Sequence, residues 1–369
     1  MIAKAFITHK QAEQFADCQD RYGINYDTKS IAVSDGMGST WQQKIWAQIL
    51  VDTFIKSANW YPTKENIKQL CQTWRKKVVD FIQNLKDTNA PEYLVYLNER
   101  NLANGRSAGA TFVGIRFDGN KWSGEVLGDS CLIEWDGNEA KFNTSQDTDA
   151  FDSYPDYFDS DPLKDGKGTP KSIEGTLKDG TILFLVSDPF SEFMLEHSKQ
   201  GNVAKYIQQL LSLASHDDFE ALVDEWRKEG MHNDDTTLVI VESDNSGGLT
   251  ITHEDKLDDM IEKEKMPATS CTPNEENSSH SPKEQPQENN TVVESPDVIQ
   301  SNIETEALIN EFLTLYEECL SNKYKKIKYK KIRLKKLKKI FVSIIYDWTK
   351  EAAEEALRIL YNKYFTNKK

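Results

Sequence analysis

Four aspartates stand at the ends of short runs with strand character. The run IAVSD (31–35) ends in Asp35, VLGD in Asp129 and LFLVSD in Asp188, while Asp234 stands just before TTLVIVE (236–242). A strand end aims side chains at one rim of a sheet, and carboxylates gathered there repel one another until a cation neutralises them. Oxygen-only donors favour hard divalent ions, Mg²⁺ or Mn²⁺. The six histidines show no zinc-type spacing. Asp35 opens the most informative stretch, Asp35-Gly36-Met37-Gly38-Ser39. Gly36 has no Cβ, so its carbonyl can approach an ion closely. Ser39 with Gln42, or Thr40 with Gln43, offers a capping box for the helix that follows. One acid bridging two ions beside a free carbonyl is a dinuclear arrangement, which can orient and deprotonate a water for in-line attack on phosphorus. Singly, each aspartate is also what an ordinary turn uses; the repetition carries the reading.

The elements that must position these acids follow from pattern. Strands are expected over 31–35, 110–117, 121–135, 181–188 and 236–242. Asp118-Gly119-Asn120 and Asp136-Gly137-Asn138 are turn signals, so 110–143 reads as an antiparallel meander. Helices are expected over 41–55, 64–87, 217–229 and much of 190–213. Antiparallel strands with grouped helices indicate an α+β sandwich and not a parallel doubly wound sheet.

The chain has 369 residues, of which 38% are apolar, and a formal net charge of -15. That balance argues against a general nucleic-acid binder. Five scattered cysteines without a C-x-x-C exclude a disulfide framework and a cysteine-based zinc module. The longest apolar run near the end, 340–346, is too short to span a bilayer. The start, MIAKAFITHK, has no signal-peptide core, and the expected location is cytoplasmic. Three regimes are expected: a catalytic domain over 1–245, a disordered acidic linker over 246–300, rich in Ser, Asn, Glu, Gln and Pro, and a helical tail over 301–369. The tail contains a basic segment, 323–339, with eleven Lys/Arg.

Six motifs in order resemble the metal-dependent protein phosphatase 2C (PPM-type) serine/threonine phosphatases, in particular a bacterial branch: Cys18-Gln19-Asp20, VSDGMGS around Asp35, Ser107-Ala108-Gly109-Ala110-Thr111, Leu127-Gly128-Asp129-Ser130, Val186-Ser187-Asp188 and Asp234-Asp235-Thr236-Thr237. The resemblance covers 1 to about 243. It implies two packed antiparallel sheets flanked by helices, an α/β/β/α sandwich. It implies catalytic roles for Asp35, Asp188 and Asp234, with Asp35 bridging two Mn²⁺ or Mg²⁺ ions and the Gly36 carbonyl on the second. Asp129 would hold a third, weaker ion, and Asp20 would be an outer ligand or hydrogen-bond acceptor. The implied reaction is hydrolysis of phosphoserine or phosphothreonine by a metal-activated water, without a phosphoenzyme.

The chain departs from the family pattern at several places. Gln19 stands where Glu is frequent, Phe15 lies near the place of a phosphate-gripping Arg, with Lys10 and His9 as the nearby substitutes, and Pro189 replaces a Gly. Residues 144–176 correspond to the family's variable flap and are acidic and aromatic, which would select phosphosites with basic neighbours or simply make a solvated loop. The implied partners are phosphorylated proteins and a cognate kinase. The basic tail, whose apolar stripe includes Ile327, Leu334, Phe341 and Trp348, fits packing within the chain, a partner protein, or an anionic membrane or nucleic acid. A phosphatase-like scaffold or regulatory binding protein with weak or no catalysis is the alternative function. A two-carboxylate glycosidase would need an acid pair with no metal demand, against the ordered motifs.

Overall fold

The computed structural model describes residues 1–146, 155–244 and 248–265. Expectations for 147–154 and for everything beyond 265, the basic helix included, lie outside the described residues. In chain order the elements are β1 (Ile2–Thr8), β2 (Arg21–Asn25), β3 (Ser30–Ser34), α1 (Gln43–Lys56), α2 (Lys64–Asp87), α3 (Glu92–Ala103), β4 (Gly109–Ala110), β5 (Phe112–Asp118), β6 (Lys121–Leu127) and β7 (Cys131–Trp135). There follow β8 (Ala140–Asn143), β9 (Phe158–Asp159), β10 (Lys171–Thr176), β11 (Ile182–Val186), α4 (Asp188–Lys199), α5 (Val203–Leu211), α6 (His216–Glu229), β12 (Thr236–Glu242), β13 (Thr250–Glu254) and α7 (Leu257–Lys265).

A six-stranded sheet runs β13-β1-β12-β11-β7-β8 and a five-stranded sheet runs β10-β6-β5-β3-β2; β4 and β9 form a small third pair. Alternate residues explain the layers. Ala3, Ala5, Ile31, Val33, Val113, Ile115, Leu183, Leu185, Val239 and Val241 share one core between the two large sheets. Phe184, Val186, Leu238 and Ile240, the intervening residues of β11 and β12, pack instead with Phe190, Phe219 and Trp226 of the helices. Ala32 and Phe112 face α1 and α2 with Trp46, Phe54 and Trp74. Strands covered on both faces are apolar throughout, which is why β3, β11 and β12 read as continuous runs. The architecture is the expected α+β sandwich of packed, largely antiparallel sheets with helices outside.

Three local expectations are corrected. The stretch 110–143 is not one meander: β5 and β6 pair in the five-stranded sheet, and β7 and β8 in the six-stranded one. The crossover is at Gly128, whose φ is +93° and where a Cβ would lie 2.5 Å from the Asp156 carbonyl oxygen. The capping box before α1 does not form, because the residue preceding the helix, Gln42, is left-handed and makes no capping bond. Thr40 instead donates to the Met37 carbonyl at 2.8 Å and accepts from the Gly109 N–H at 3.0 Å. The boundary expected at 245 falls inside the fold. β13 adds parallel to β1, the lone parallel pair in the described sheets, and α7 follows it. β1, β2, β9, β10, β13 and α3 were not foreseen from pattern.

Asp255, 1% exposed, anchors this addition. It sits 2.8 Å from His216 Nδ1 and 2.8 Å from His253 Nε2. Burial opposes a charge on His216, but hydrogen bonds to Asp255 and Glu220 and the charges of both outweigh it and push its pKa up to about 9. A raised histidine contributes stability that is fully present below the unfolded value near 6.5 and is lost as pH rises through about 9. The melting-temperature gap between the wild type and His216→Gln should therefore narrow as pH is raised from about 6.5 to above 9, read by thermal melts in a pH series. A gap that stays constant would contradict this.

Candidate active site

The predicted acids gather at one rim of the sandwich. Asp35 follows β3, and the Asp35–Met37 turn is zipped onto 109–111: Thr111 N–H donates to the Asp35 carbonyl at 2.9 Å and Met37 N–H to the Gly109 carbonyl at 3.0 Å. Gly36 is required by crowding, since a Cβ there would lie 2.9 Å from Gln43 Cγ and 3.0 Å from the Gln19 carbonyl oxygen. Asp129 sits on the β6–β7 crossover. Asp188 opens α4, with Pro189 in the first turn, where a missing N–H costs nothing; this accounts for proline after Asp188. Asp234 follows α6, which ends on left-handed Gly230.

Asp35, Gly36, Asp129, Asp188 and Asp234 line one cleft of about 620 Å³ together with Lys10, Gln19, Met37, Glu192, Glu196 and His232. Asp20 lies behind it, fully buried, and its Oδ2 accepts from Thr237 Oγ1 at 2.8 Å. Its Oδ1 and Asp129 Oδ1 are buried without a hydrogen-bond partner among the described residues. Burial, then repulsion from Asp129 and Asp234, pushes the Asp35 pKa up to about 8. Burial foremost, with repulsion from Glu192 and Asp20, pushes Asp129 up to about 7. Asp20 and Asp188 are driven well above the usual carboxylate range, again by burial first and then by neighbouring acids. Without an ion these carboxyls are therefore held toward their protonated forms, and a divalent cation in place of the protons would relieve the repulsion.

Lys10 was named from the sequence as a substitute for the phosphate-gripping Arg, but other contributors escaped that reading. Asp235, 2% exposed, is the keystone of the loop 10–20: it accepts from the Lys10 N–H at 3.0 Å and the Gln19 N–H at 2.7 Å. The Asp234-Asp235 pair was the available signal. Lys10 Nζ reaches Asp234 Oδ1 at 2.6 Å; burial works against its charge, but the bond to Asp234 and the charges around it hold the ammonium above its ordinary pKa. On the far wall, α4 presents Asp188, Glu192 and Glu196 at helical spacing, and His232 pairs with Glu192 at 3.2 Å. Phe15 does not face the cleft; it is buried, edge-on to His9. In the described part of the flap region, Asp156, Asp161 and Asp165 pair with Lys167, Lys164 and Lys64, so much of its charge is met locally.

The donors are all oxygen, and two are buried and unpartnered, which suits Mg²⁺ or Mn²⁺. No group of three or more His, Cys, Asp or Glu among the described residues is set to hold an ion as it stands; the fit is one of donor chemistry and not of a preformed cage.

The sequence profile of protein phosphatase 2C matches residues 9–243. The chain belongs to the protein phosphatase 2C family. Such phosphatases are serine/threonine protein phosphatases that depend on Mn²⁺ or Mg²⁺. Among solved structures, the chain is similar to the serine/threonine phosphatase Stp1 from Staphylococcus aureus, at 15% identity over 66% of this chain and 94% of that one, TM-score 0.43. It is similar to the serine/threonine phosphatase PstP/Ppp of Mycobacterium tuberculosis at 15% identity, over 65% and 98%, TM-score 0.41. It is also similar to PppA of Pseudomonas aeruginosa, described as a key regulatory component of T6SS, at 15% identity, over 65% and 96%, TM-score 0.44. No curated protein matches the sequence.

Replacing Asp35 or Asp188 by Asn removes a charge held against its neighbours. Mn²⁺ should raise the melting temperature of the wild type and leave both variants unmoved, and in chelator the variants should melt no lower than the wild type. Thermal melts with and without Mn²⁺ read both effects, and Mn²⁺ stabilisation surviving in both variants would contradict the assignment.

Proposed function

We propose that this chain hydrolyses phosphoserine and phosphothreonine monoesters in proteins at the acidic cleft. Asp35, the Gly36 carbonyl, Asp188 and Asp234 would hold two Mn²⁺ or Mg²⁺ ions, and Asp129 a third. The observation that carries this reading is the concentration of acids whose pKa values are raised, with buried oxygens left unpartnered, on one rim. Bound there, divalent cations supply charge neutralisation, phosphate orientation and a lowered pKa for the attacking water. The chain's own residues do the rest. Asp35, Asp188 and Asp234 fix where positive charge can sit. Asp20 steadies the rim from behind through Thr237. Lys10, tethered through its N–H to Asp235, offers an ammonium at the cleft to substrate phosphate oxygens. Phosphorylated proteins are the substrates in this reading, and the kinase that makes them is a functional partner. No helix among the described residues is long and apolar enough to cross a membrane; a cytoplasmic location is part of the proposal.

Two observations favour a second reading, a phosphatase-like scaffold with weak or no catalysis. Lys10 already neutralises Asp234, and Gln19 supplies no charge to the cleft.

Hydrolysis of p-nitrophenyl phosphate and of a phosphoserine peptide should require Mn²⁺ or Mg²⁺, stop in chelator and be lost in Asp35→Asn. Lys10→Ala should raise KM roughly tenfold or more, the value of one charge-assisted hydrogen bond. No hydrolysis despite Mn²⁺-dependent thermal stabilisation would replace the enzyme reading by the scaffold.

A further inference from the structure

The segment 248–265 lies beyond the span matched to the family, yet it grips the loop that supplies one wall of the cleft. Glu264, on α7, uses both carboxylate oxygens. Oε2 accepts from the Phe15 N–H at 2.9 Å, and Oε1 lies 3.5 Å from His9 Nε2. Those two residues bracket Lys10. His9 Nδ1 is 2.8 Å from the Lys10 carbonyl oxygen, and the His9 ring stands edge-on to Phe15 at 4.6 Å. The other half of the loop has separate holds: Lys44 Nζ donates to the Ala16 carbonyl at 3.0 Å and Arg21 to the Cys18 carbonyl at 2.8 Å. α7 is itself held to the body by buried Met260 and, through the turn before it, by buried Asp255 and the Tyr22 hydroxyl.

We propose that Glu264 is a positioning residue for phosphate binding, setting the 9–15 half of the loop and through it the Lys10 ammonium. This rests on the phosphatase reading above. A carboxylate holding a half-buried N–H leaves an unsatisfied donor when it is removed, and the loop's internal turns, such as Cys18 N–H to the Phe15 carbonyl at 3.2 Å, do not replace a bond to another element. The chain adds, outside the span matched to the family, a strand and helix that stiffen the Lys10-bearing wall of its own cleft.

The test uses the full chain and three variants: Glu264→Ala, Glu264→Gln, which keeps an acceptor oxygen, and Glu262→Ala, turned about 200° round α7. Two readouts are taken: hydrogen–deuterium exchange of peptides covering 9–20, and KM and kcat for p-nitrophenyl phosphate with Mn²⁺. In Glu264→Ala the loop should exchange roughly fivefold faster, and KM should rise roughly tenfold with a smaller change in kcat. Glu264→Gln should restore most of both, and Glu262→Ala should change neither. Unchanged exchange in Glu264→Ala overturns the inference whether or not the chain is a phosphatase. Faster exchange with unchanged KM overturns the positioning role, and equal effects from Glu262→Ala reduce it to general destabilisation. If the wild type has no activity, the phosphatase reading alone fails; the calorimetric affinity for inorganic phosphate then replaces KM, with a weaker affinity in Glu264→Ala expected and an equal one overturning the inference.

Discussion

Like charge crowded under one rim is the constraint around which this protein is built. Carboxylates repel one another in a place where water screens them poorly, and desolvation adds to the cost. Keeping Asp35, Asp129 and Asp188 there requires backbone that cannot relax away. The turn after β3 is bonded to residues 109–111, the crossover at Gly128 has no room for a side chain, and Asp188 is locked into the first turn of α4. Such a rim trades stability of the ion-free chain for affinity toward a cation, the usual direction of compromise at functional sites.

The rigid part behind the rim is the sandwich, and the adaptable part is the loop 10–20. Asp235 joins them. It is buried just before β12, and its two carboxylate oxygens take the N–H groups of Lys10 and Gln19, so both ends of the loop are registered against a core strand through one side chain. The Lys10 ammonium is thus placed by an acid that does not itself line the cleft.

How much could be read in advance depends on the residue. Asp35, Asp129, Asp188 and Asp234 were legible because each ends or precedes an apolar run, and a strand end has one place to point. Phe184 and Val186 against Leu183 and Leu185 show why the two-sheet architecture was harder to read from periodicity: with both faces buried, alternation vanishes and only the resemblance supplied the layers. β13 was hidden by composition, since it lies in a stretch rich in charge; the charges of Asp255 and Glu264 are spent on partners distant in sequence, which no local pattern reveals. The capping box failed because Gln42 is left-handed before the helix and the Thr40 hydroxyl accepts instead from the Gly109 N–H, a contact 69 residues away. Asp235 was passed over beside Asp234 because adjacent acids look alike until one is seen to be buried.

The pairing of β1 has a consequence for the order in which the chain assembles. β1 begins at residue 2, and both of its neighbours lie at the far end of the domain: Ile2 faces Glu242 of β12 on one side and Thr250 of β13 on the other. β1 has no sheet partner until more than two hundred residues later in the chain, so the six-stranded sheet can be completed only through contacts of very high sequence separation. The five-stranded half, whose β2, β3, β5 and β6 are all made by residue 127, can form first and offer its apolar inner face as the template on which the rest condenses.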